Sequence, residues 1–384
     1  MRSRNIVLSA SLALLTGLTL PIACGGDSGT YVNPDGSTGD AGSKTDSAGL
    51  IDGSGEDNDA CVPATCASLQ KNCDKLSDGC GATIDCGKCT VDGEVCGGAG
   101  TANVCAKSTD VTFIGAGDIA DCQSKGDEAT AKLVEGVLAT TPTATVFTLG
   151  DNAYNLGTAL EFRLCYEPTW GKFKKQTLPT AGNHDYSIPS LPFIGKAAGY
   201  YGYFGAAAGD KTKGYYSYDI GSWHIVALNS NCGDIGGCDE NSEQGKWLKA
   251  DLAGSTAKCT AALWHHPRFN IGKHGDNTSM QPFWKLLSEA NADVTLVGHD
   301  HNYQRWAPLD VDGKVDAAKG IRQFLVGTGG RDFYAFEKDD PRVEAKEADT
   351  FGVIQFTLKA NGYDWKFLAE DGKTFTDVGT GSCH

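Results

Sequence analysis

The chain has 384 residues, 40% of them hydrophobic, and a formal net charge of −15. That length and apolar content suffice for one large core with smaller appendages. The charge speaks against nucleic acid and anionic lipid faces as partners, and an anionic substrate would need a local positive centre, for which a metal cluster would serve.

The first 24 residues read MRSRNIVLSASLALLTGLTLPIAC. Arg2 and Arg4 make a basic start, and Ile6 to Leu20 an apolar stretch broken by Ser, Thr and Gly. The stretch is too short and polar for a comfortable membrane span, so it reads as an export signal. Small residues before Cys24 resemble a bacterial lipoprotein signal with Cys24 as the lipidated residue, although Pro21 replaces the usual Leu. Cleavage and free secretion is the alternative. The chain holds 15 Cys, an odd number. Setting Cys24 aside leaves an even set for disulfides, as expected of an exported protein.

Residues 25–60 are nearly all Gly, Ser, Thr, Asp and Ala and are expected to form a disordered acidic tether. Residues 61–105 carry eight cysteines and few large apolar side chains, the pattern of a disulfide-stapled module. Its pairing stays open, since eight cysteines allow roughly a hundred connectivities. Cys86 and Cys89 form one CxxC without a matching second pair, which argues against zinc. The module loosely resembles small Cys-rich, sometimes carbohydrate-binding modules, so glycan contact and a spacer role are both open.

Residues 106–384 are expected to form the main domain. Strands are predicted at Val111–Ala116, Ala144–Leu149, Tyr215–Ile220, Trp223–Asn229, Cys259–Trp264, Asp293–Val297, Ile321–Val326, Phe351–Leu358 and Tyr363–Leu368. Helices are predicted at Asp127–Ala139, Ser242–Leu252 and Gln281–Ala290. Early strands alternate with helices and later ones run as hairpins. The implied fold class is α/β, with two mixed β-sheets sandwiched between helical layers.

Five apolar segments stop at metal-capable side chains. VTFIGAGD ends in Asp118, VFTLGD in Asp151, LPTAGNHD in Asn183, His184 and Asp185, TAALWHHP in His265 and His266, and VTLVGHDH in His299 and His301. Ligands of α/β sheets gather beyond the carboxyl ends of strands, so these ends are expected to meet. Carboxylate with imidazole suits Fe, Zn and Mn. Asp151 can bridge two ions, and Asn183 adds an oxygen without adding charge.

The series GD…GDxxY…GNHD…HHP…GHDH resembles the calcineurin-like metallophosphoesterase superfamily over about Thr112 to Arg305. Many members carry histidine two residues after the first aspartate, where this chain has Ala120, and Tyr154 follows Asp151 instead. That exchange resembles the purple acid phosphatase branch. The resemblance implies a first metal, Fe(III), on Asp118, Asp151, Tyr154 and His301. It implies a second, Zn, Mn or Fe(II), on Asp151, Asn183, His265 and His299. It further implies hydrolysis of phosphate monoesters by an activated hydroxide, with His184 or His274 binding phosphate and protonating the leaving oxygen. His265 rather than His266 matches the ligand position, and His266 is expected to pack or support. His224 reads as structural, and Arg305 in NYQR is given no catalytic role.

Cys122–Cys165, Cys232–Cys238 and Cys259–Cys383 are guessed as disulfides from location. The leading expectation is a cell-surface phosphomonoesterase that scavenges phosphate from small esters and meets a membrane only through a lipidated N-terminus. The alternatives are a phosphodiesterase of the same superfamily, and a surface binding protein acting through the Cys-rich module.

Overall fold

The computed structural model describes residues 61–91, 94–96, 103–107, 110–187 and 196–384. The expected export segment and tether lie outside the described residues. No helix among the described residues is long and apolar enough to cross a membrane.

The Cys-rich stretch forms two short hairpins. Strand β1 (Lys75–Ser77) pairs with β2 (Thr83–Asp85), and β3 (Glu94–Cys96) pairs with β4 (Cys105–Lys107). Disulfides join Cys61–Cys80, Cys66–Cys86, Cys73–Cys96 and Cys89–Cys105. The two cysteines of the CxxC therefore go to different partners. Among the described residues of this stretch only Cys73 and Asp78 are buried, so covalent staples stand in for a core.

The following segment runs β5 (Val111–Ala116), α1 (Gly126–Thr140), β6 (Thr145–Leu149), α2 (Ala159–Glu161), β7 (Thr177–Thr180), α3 (Ala198–Phe204), β8 (Tyr216–Ile220) and β9 (Trp223–Ala227). It continues with α4 (Cys232–Ile235), α5 (Glu243–Gly254), β10 (Cys259–Leu263), α6 (Gln281–Glu289), β11 (Val294–Val297), β12 (Tyr303–Leu309) and β13 (Ile321–Val326). It closes with β14 (Val343–Glu347), β15 (Gly352–Lys359), β16 (Gly362–Ala369) and β17 (Val378–Ser382).

These strands build two mixed sheets. The seven-stranded sheet has the order β14-β12-β13-β11-β10-β9-β8, and the six-stranded sheet the order β17-β16-β15-β5-β6-β7. Strands β9, β10, β11 and β13 are mutually parallel, as are β5, β6 and β7. Alternation within the buried strands explains the layers. Trp223, Ile225, Ala261, Leu263, Val294 and Leu296 turn toward one core shared with Phe113, Phe356 and Leu358 of the other sheet. Val226, Ala262 and Val297 turn the other way, onto Leu248 of α5 and Phe283, Trp284 and Leu287 of α6. Helix α5 starts on Ser242, whose Oγ accepts from Gly245 N at 3.0 Å, and Pro282 opens the first turn of α6.

The expected strands and three long helices are present. Four strands of this segment were not foreseen, for physical reasons. Strands β7, β14 and β17 are sheet edges; β7 contains Pro179, while β14 (VEAKE) and β17 (VGTGS) bury little. Strand β12 breaks register between Arg305 and Pro308 and buries Gln304, so it does not read as an apolar run. The disulfides Cys122–Cys165, Cys232–Cys238 and Cys259–Cys383 form as guessed. The last joins β10 of one sheet to the residue following β17 of the other.

Candidate metal centre

Each parallel strand delivers its side chains just past its carboxyl end. Beyond β5 and β6 the chain bends at Asp118 and at Gly150 and Asp151, and the two segments then pair again. Ile119 N donates to Asp151 O at 3.0 Å, Ala120 N to Asn152 O at 3.1 Å, and Tyr154 N to Ala120 O at 2.8 Å. This pairing carries the Tyr154 ring over Asp118. Asp118, Asp151 and His299 all have positive φ, at 60°, 50° and 74°. Three non-glycine residues held in the left-handed region at one place are strain of the kind found at functional sites. Gly182 is required here for space: a Cβ on it would fall 2.1 Å from Asp151 Oδ1.

The sequence-predicted residues meet. Tyr154 Oη lies 2.9 Å from Asp118 Oδ1, 3.1 Å from Asp151 Oδ2 and 3.2 Å from His301 Nε2. His265 Nε2 lies 3.3 Å from Asp151 Oδ2, 3.0 Å from Asn183 Oδ1 and 3.2 Å from His299 Nδ1. His265 Nδ1 is 2.8 Å from Leu149 O. It therefore carries a proton, and Nε2 is the nitrogen that faces the cluster. Main-chain donors fix the carboxylates: His184 N donates to Asp151 Oδ1 at 2.7 Å and His299 N to Asp118 Oδ2 at 2.8 Å.

The electrostatics are those of a site that favours positive charge. Burial raises the pKa of Asp118. Burial would also raise Asp151, but His265, with His184 and His299, outweighs it and holds that carboxyl below its usual range. Burial would depress His265, yet Asp151 and Asp118 lift it to about 9. Burial and the neighbouring His265 and His266 hold His299 low, and burial with His265 brings His266 down to about 3. Burial and the carboxylates of Asp118 and Asp151 push the Tyr154 phenol well above its ordinary value. Two buried carboxylates, converging imidazoles and a phenol at hydrogen-bond distance are costly unless a cation shares them. Asp118, Asp151 and His265 place ligand atoms within 4.8 Å of one another, and so do His265, His266 and His299. The two groups share His265, which suits adjacent cations.

A family profile described as calcineurin-like phosphoesterase matches residues 111–303. The chain belongs to the calcineurin-like phosphoesterase family. Purple acid phosphatase 22 of Arabidopsis thaliana is 29% identical over 192 residues, covering 44% of this chain and 42% of that protein. Purple acid phosphatase 21 of the same plant is 32% identical over 122 residues, covering 30% of this chain and 26% of that protein. The chain thus spans less than half the length of these relatives. The purple acid phosphatase PPD1 from yellow lupin (Lupinus luteus) seeds superposes with a TM-score of 0.56 at 19% identity, over 72% of this chain and 54% of that one. That likeness shows the shared fold. Within the phosphoesterase family, the resemblance is to the purple acid phosphatase branch.

The remaining histidines sort by contact. His184 Nδ1 lies 2.7 Å from Asn155 O, which leaves Nε2 4.0 Å from Asp151 Oδ2, and its side chain is 35% exposed. The His274 ring packs 4.2 Å from that of His299 and is also 35% exposed. His266 Nδ1 lies 2.8 Å from Ser230 Oγ, beside the cluster. His224 is remote from it, held between Asp219 at 2.8 Å and Asp251 at 2.9 Å. Arg305 is bound to Asp377 and Glu344, a structural pairing.

A loop missed in the sequence closes one side. After β13 the residues GGRDFY bring Asp332 onto His301 Nδ1 and stack Tyr334 on the His301 ring at 4.0 Å. The same loop sets the Arg331 guanidinium 5.1 Å from the Tyr154 ring centroid. Strand β13 is parallel to β11, so the strand-end rule that found the other residues also points to this loop.

Proposed function

We propose that the chain hydrolyses phosphate monoesters at a dinuclear metal centre. Asp118, Asp151, Tyr154 and His301 would hold one ion, and Asp151, Asn183, His265 and His299 the other. The observation that supports this most is that the two donor sets meet at Asp151, whose Oδ2 lies 3.1 Å from Tyr154 Oη and 3.3 Å from His265 Nε2, with two partly exposed histidines at their edge. A buried phenol raised by two carboxylates gives up its proton only to a strongly acidic cation, so Fe(III) suits the tyrosine side and Zn, Mn or Fe(II) the histidine side. Bound there, the two ions would supply positive charge for the phosphoryl oxygens and acidify a water. The chain's own part is orientation. His184, fixed by Asn155 O, presents Nε2 toward Asp151, where it can bind a phosphoryl oxygen. His274 offers a second ring nitrogen for the leaving oxygen.

The test combines metal analysis, a visible spectrum and two esters on one sample. Two metals per chain with iron, a visible band, and faster turnover of 4-nitrophenyl phosphate than of bis(4-nitrophenyl) phosphate are expected. Preference for the diester would replace the monoesterase reading. A chain that binds no metal and turns over neither ester would refute it.

We further propose export. Seven disulfides suit an oxidising compartment. They leave Cys24 as the one cysteine of 15 outside these pairs, in keeping with its lipidation. Mass spectrometry of the membrane fraction, with and without Cys24→Ser, tests the anchor. Residues 61–107 contain no aromatic residue. Glycan contact there would lack the stacking surface aromatic rings provide, so a spacer role is favoured.

A further inference from the structure

Asp300 stands between two of the proposed ligands, His299 and His301, yet its side chain serves neither. It is fully buried. Its Oδ1 lies 2.8 Å from His274 Nδ1, and its Oδ2 accepts from His274 N at 3.3 Å and from Asn270 Nδ2. A Cβ on Gly272 would fall 2.5 Å from Asp300 Oδ2, so the loop must be bare there for the carboxylate to reach in. Asn270 is held in turn. Its Oδ1 accepts from Gln304 Nε2 at 2.7 Å and from Gly272 N at 2.8 Å, while Gln304 Oε1 accepts from Ile271 N at 3.1 Å. Asn270, Asp300 and Gln304 have no exposed surface. A buried polar network with its members partnered is rigid and specific. Here it terminates in one partly exposed group, the His274 imidazole.

We infer that Asp300 is a positioning residue for phosphoester cleavage, acting through His274. It fixes the ring with Nδ1–H on the carboxylate and leaves Nε2 as the free nitrogen beside His299. This rests on the phosphoesterase reading and adds to it the residue that orients the proton donor. In the step, a water oxygen adds to phosphorus and the ester P–O bond breaks. The departing oxygen takes the Nε2 proton of the doubly protonated ring and leaves as an alcohol. The Nδ1 proton stays on Nδ1, hydrogen-bonded to Asp300, while one proton of the attacking water returns to Nε2 and the other stays on the released phosphate. The logic is that of a carboxylate orienting a histidine in hydrolases generally.

The experiment compares Asp300→Asn with wild type in the metal-loaded full chain, on 4-nitrophenyl phosphate and on an alkyl phosphate such as glycerol 2-phosphate. A nitrophenolate leaves without help and an alkoxide does not. The expected result is a fall in kcat on the order of 100-fold for the alkyl ester, against less than about threefold for the aryl ester. His274→Gln should give the same pattern, and the double variant should be no worse than either single one. Equal losses on both esters, or additive losses in the double variant, would overturn the inference. If Asp300→Asn does not fold, Asp300→Glu, which keeps a carboxylate but moves it, decides by the same ester comparison, a loss confined to the alkyl ester supporting the inference and equal losses overturning it. A wild type that cleaves neither ester would instead remove the phosphoesterase reading, and this inference with it.

Discussion

The two halves of the strand-end cluster differ in how they are covered. The half around Asp118, Tyr154 and His301 is sealed: all three are buried, Tyr334 stacks on His301, and Arg331 lies over Tyr154. The half around Asn183, His265 and His299 is built from neutral donors and opens toward His184 and His274. The difference teaches a division of labour. A closed, oxygen-rich half suits an ion kept in place, while an open half of neutral donors suits exchange and the approach of an anion. Asp151 touches both, reaching Tyr154 and His265 through the same Oδ2.

Breaking that shared residue should have the largest effect. Asp151→Asn is expected to empty both halves and lower kcat/KM by roughly a thousandfold or more. Metal analysis of the folded variant checks it; retention of two ions would mean that Asp151 is not shared. Tyr154→Phe should separate the halves. The visible band should vanish and iron should fall, while the histidine side still binds its ion. A band that survives would remove tyrosinate from the closed half.

A smaller change should sharpen the same contrast. Asp332 sits on His301 Nδ1, outside the donor set; partial desolvation would raise its carboxyl, but the contact with His301 outweighs this and holds it low. Partners of this kind fix the ring and raise ligand basicity. Asp332→Asn should weaken metal binding by about 10- to 100-fold in the closed half and leave the other half unchanged. Competition titration with a chelator, read at the visible band, measures it. An equal loss in both halves would mean that the loop supports the whole centre and not one side.

The proposed donors could be singled out in the sequence because each follows an apolar segment, although the one before Asn183 did not read as a strand. Asp118, Asp151, Asn183, His265, His299 and His301 needed only the rule that parallel strands gather ligands at one end. Arg331, Asp332 and Tyr334 obey the same rule but follow a glycine-rich turn that looks like any other. Asp300 was hidden by its neighbours, since nothing in GHDH says that the middle residue turns away. The module's pairing was not legible for an energetic reason. Its four bridges close separations of 16, 19, 20 and 23 residues. Closure entropy varies by only about 0.6 kcal/mol per doubling of length, so it cannot choose among such similar loops.

The smallest expected effect comes from a histidine that belongs to neither half. His224 lies in β9 between Asp219 and Asp251, and Ser217 Oγ donates to Asp251 at 2.6 Å. Burial would lower the His224 pKa, but its bonds to Asp251 and Asp219 outweigh burial and raise it. Burial would raise Asp251, but the bonds to His224 and Ser217 hold it below its usual range. The signs then follow. Because the folded histidine holds its proton more tightly than the unfolded one, its contribution to stability is full below about pH 6.5 and is lost as pH rises through the folded value. Because the folded carboxyl is more acidic than the unfolded one, its contribution is full above about pH 4 and is lost as pH falls through its folded value. The pair is strongest between these limits. His224→Gln should therefore lower Tm most near pH 5 to 6 and progressively less in alkaline buffer, with metal content and the visible band untouched. A Tm difference independent of pH would mean that the ring acts by packing alone. Loss of metal in this variant would mean that the contrast between donor histidines and structural ones does not hold.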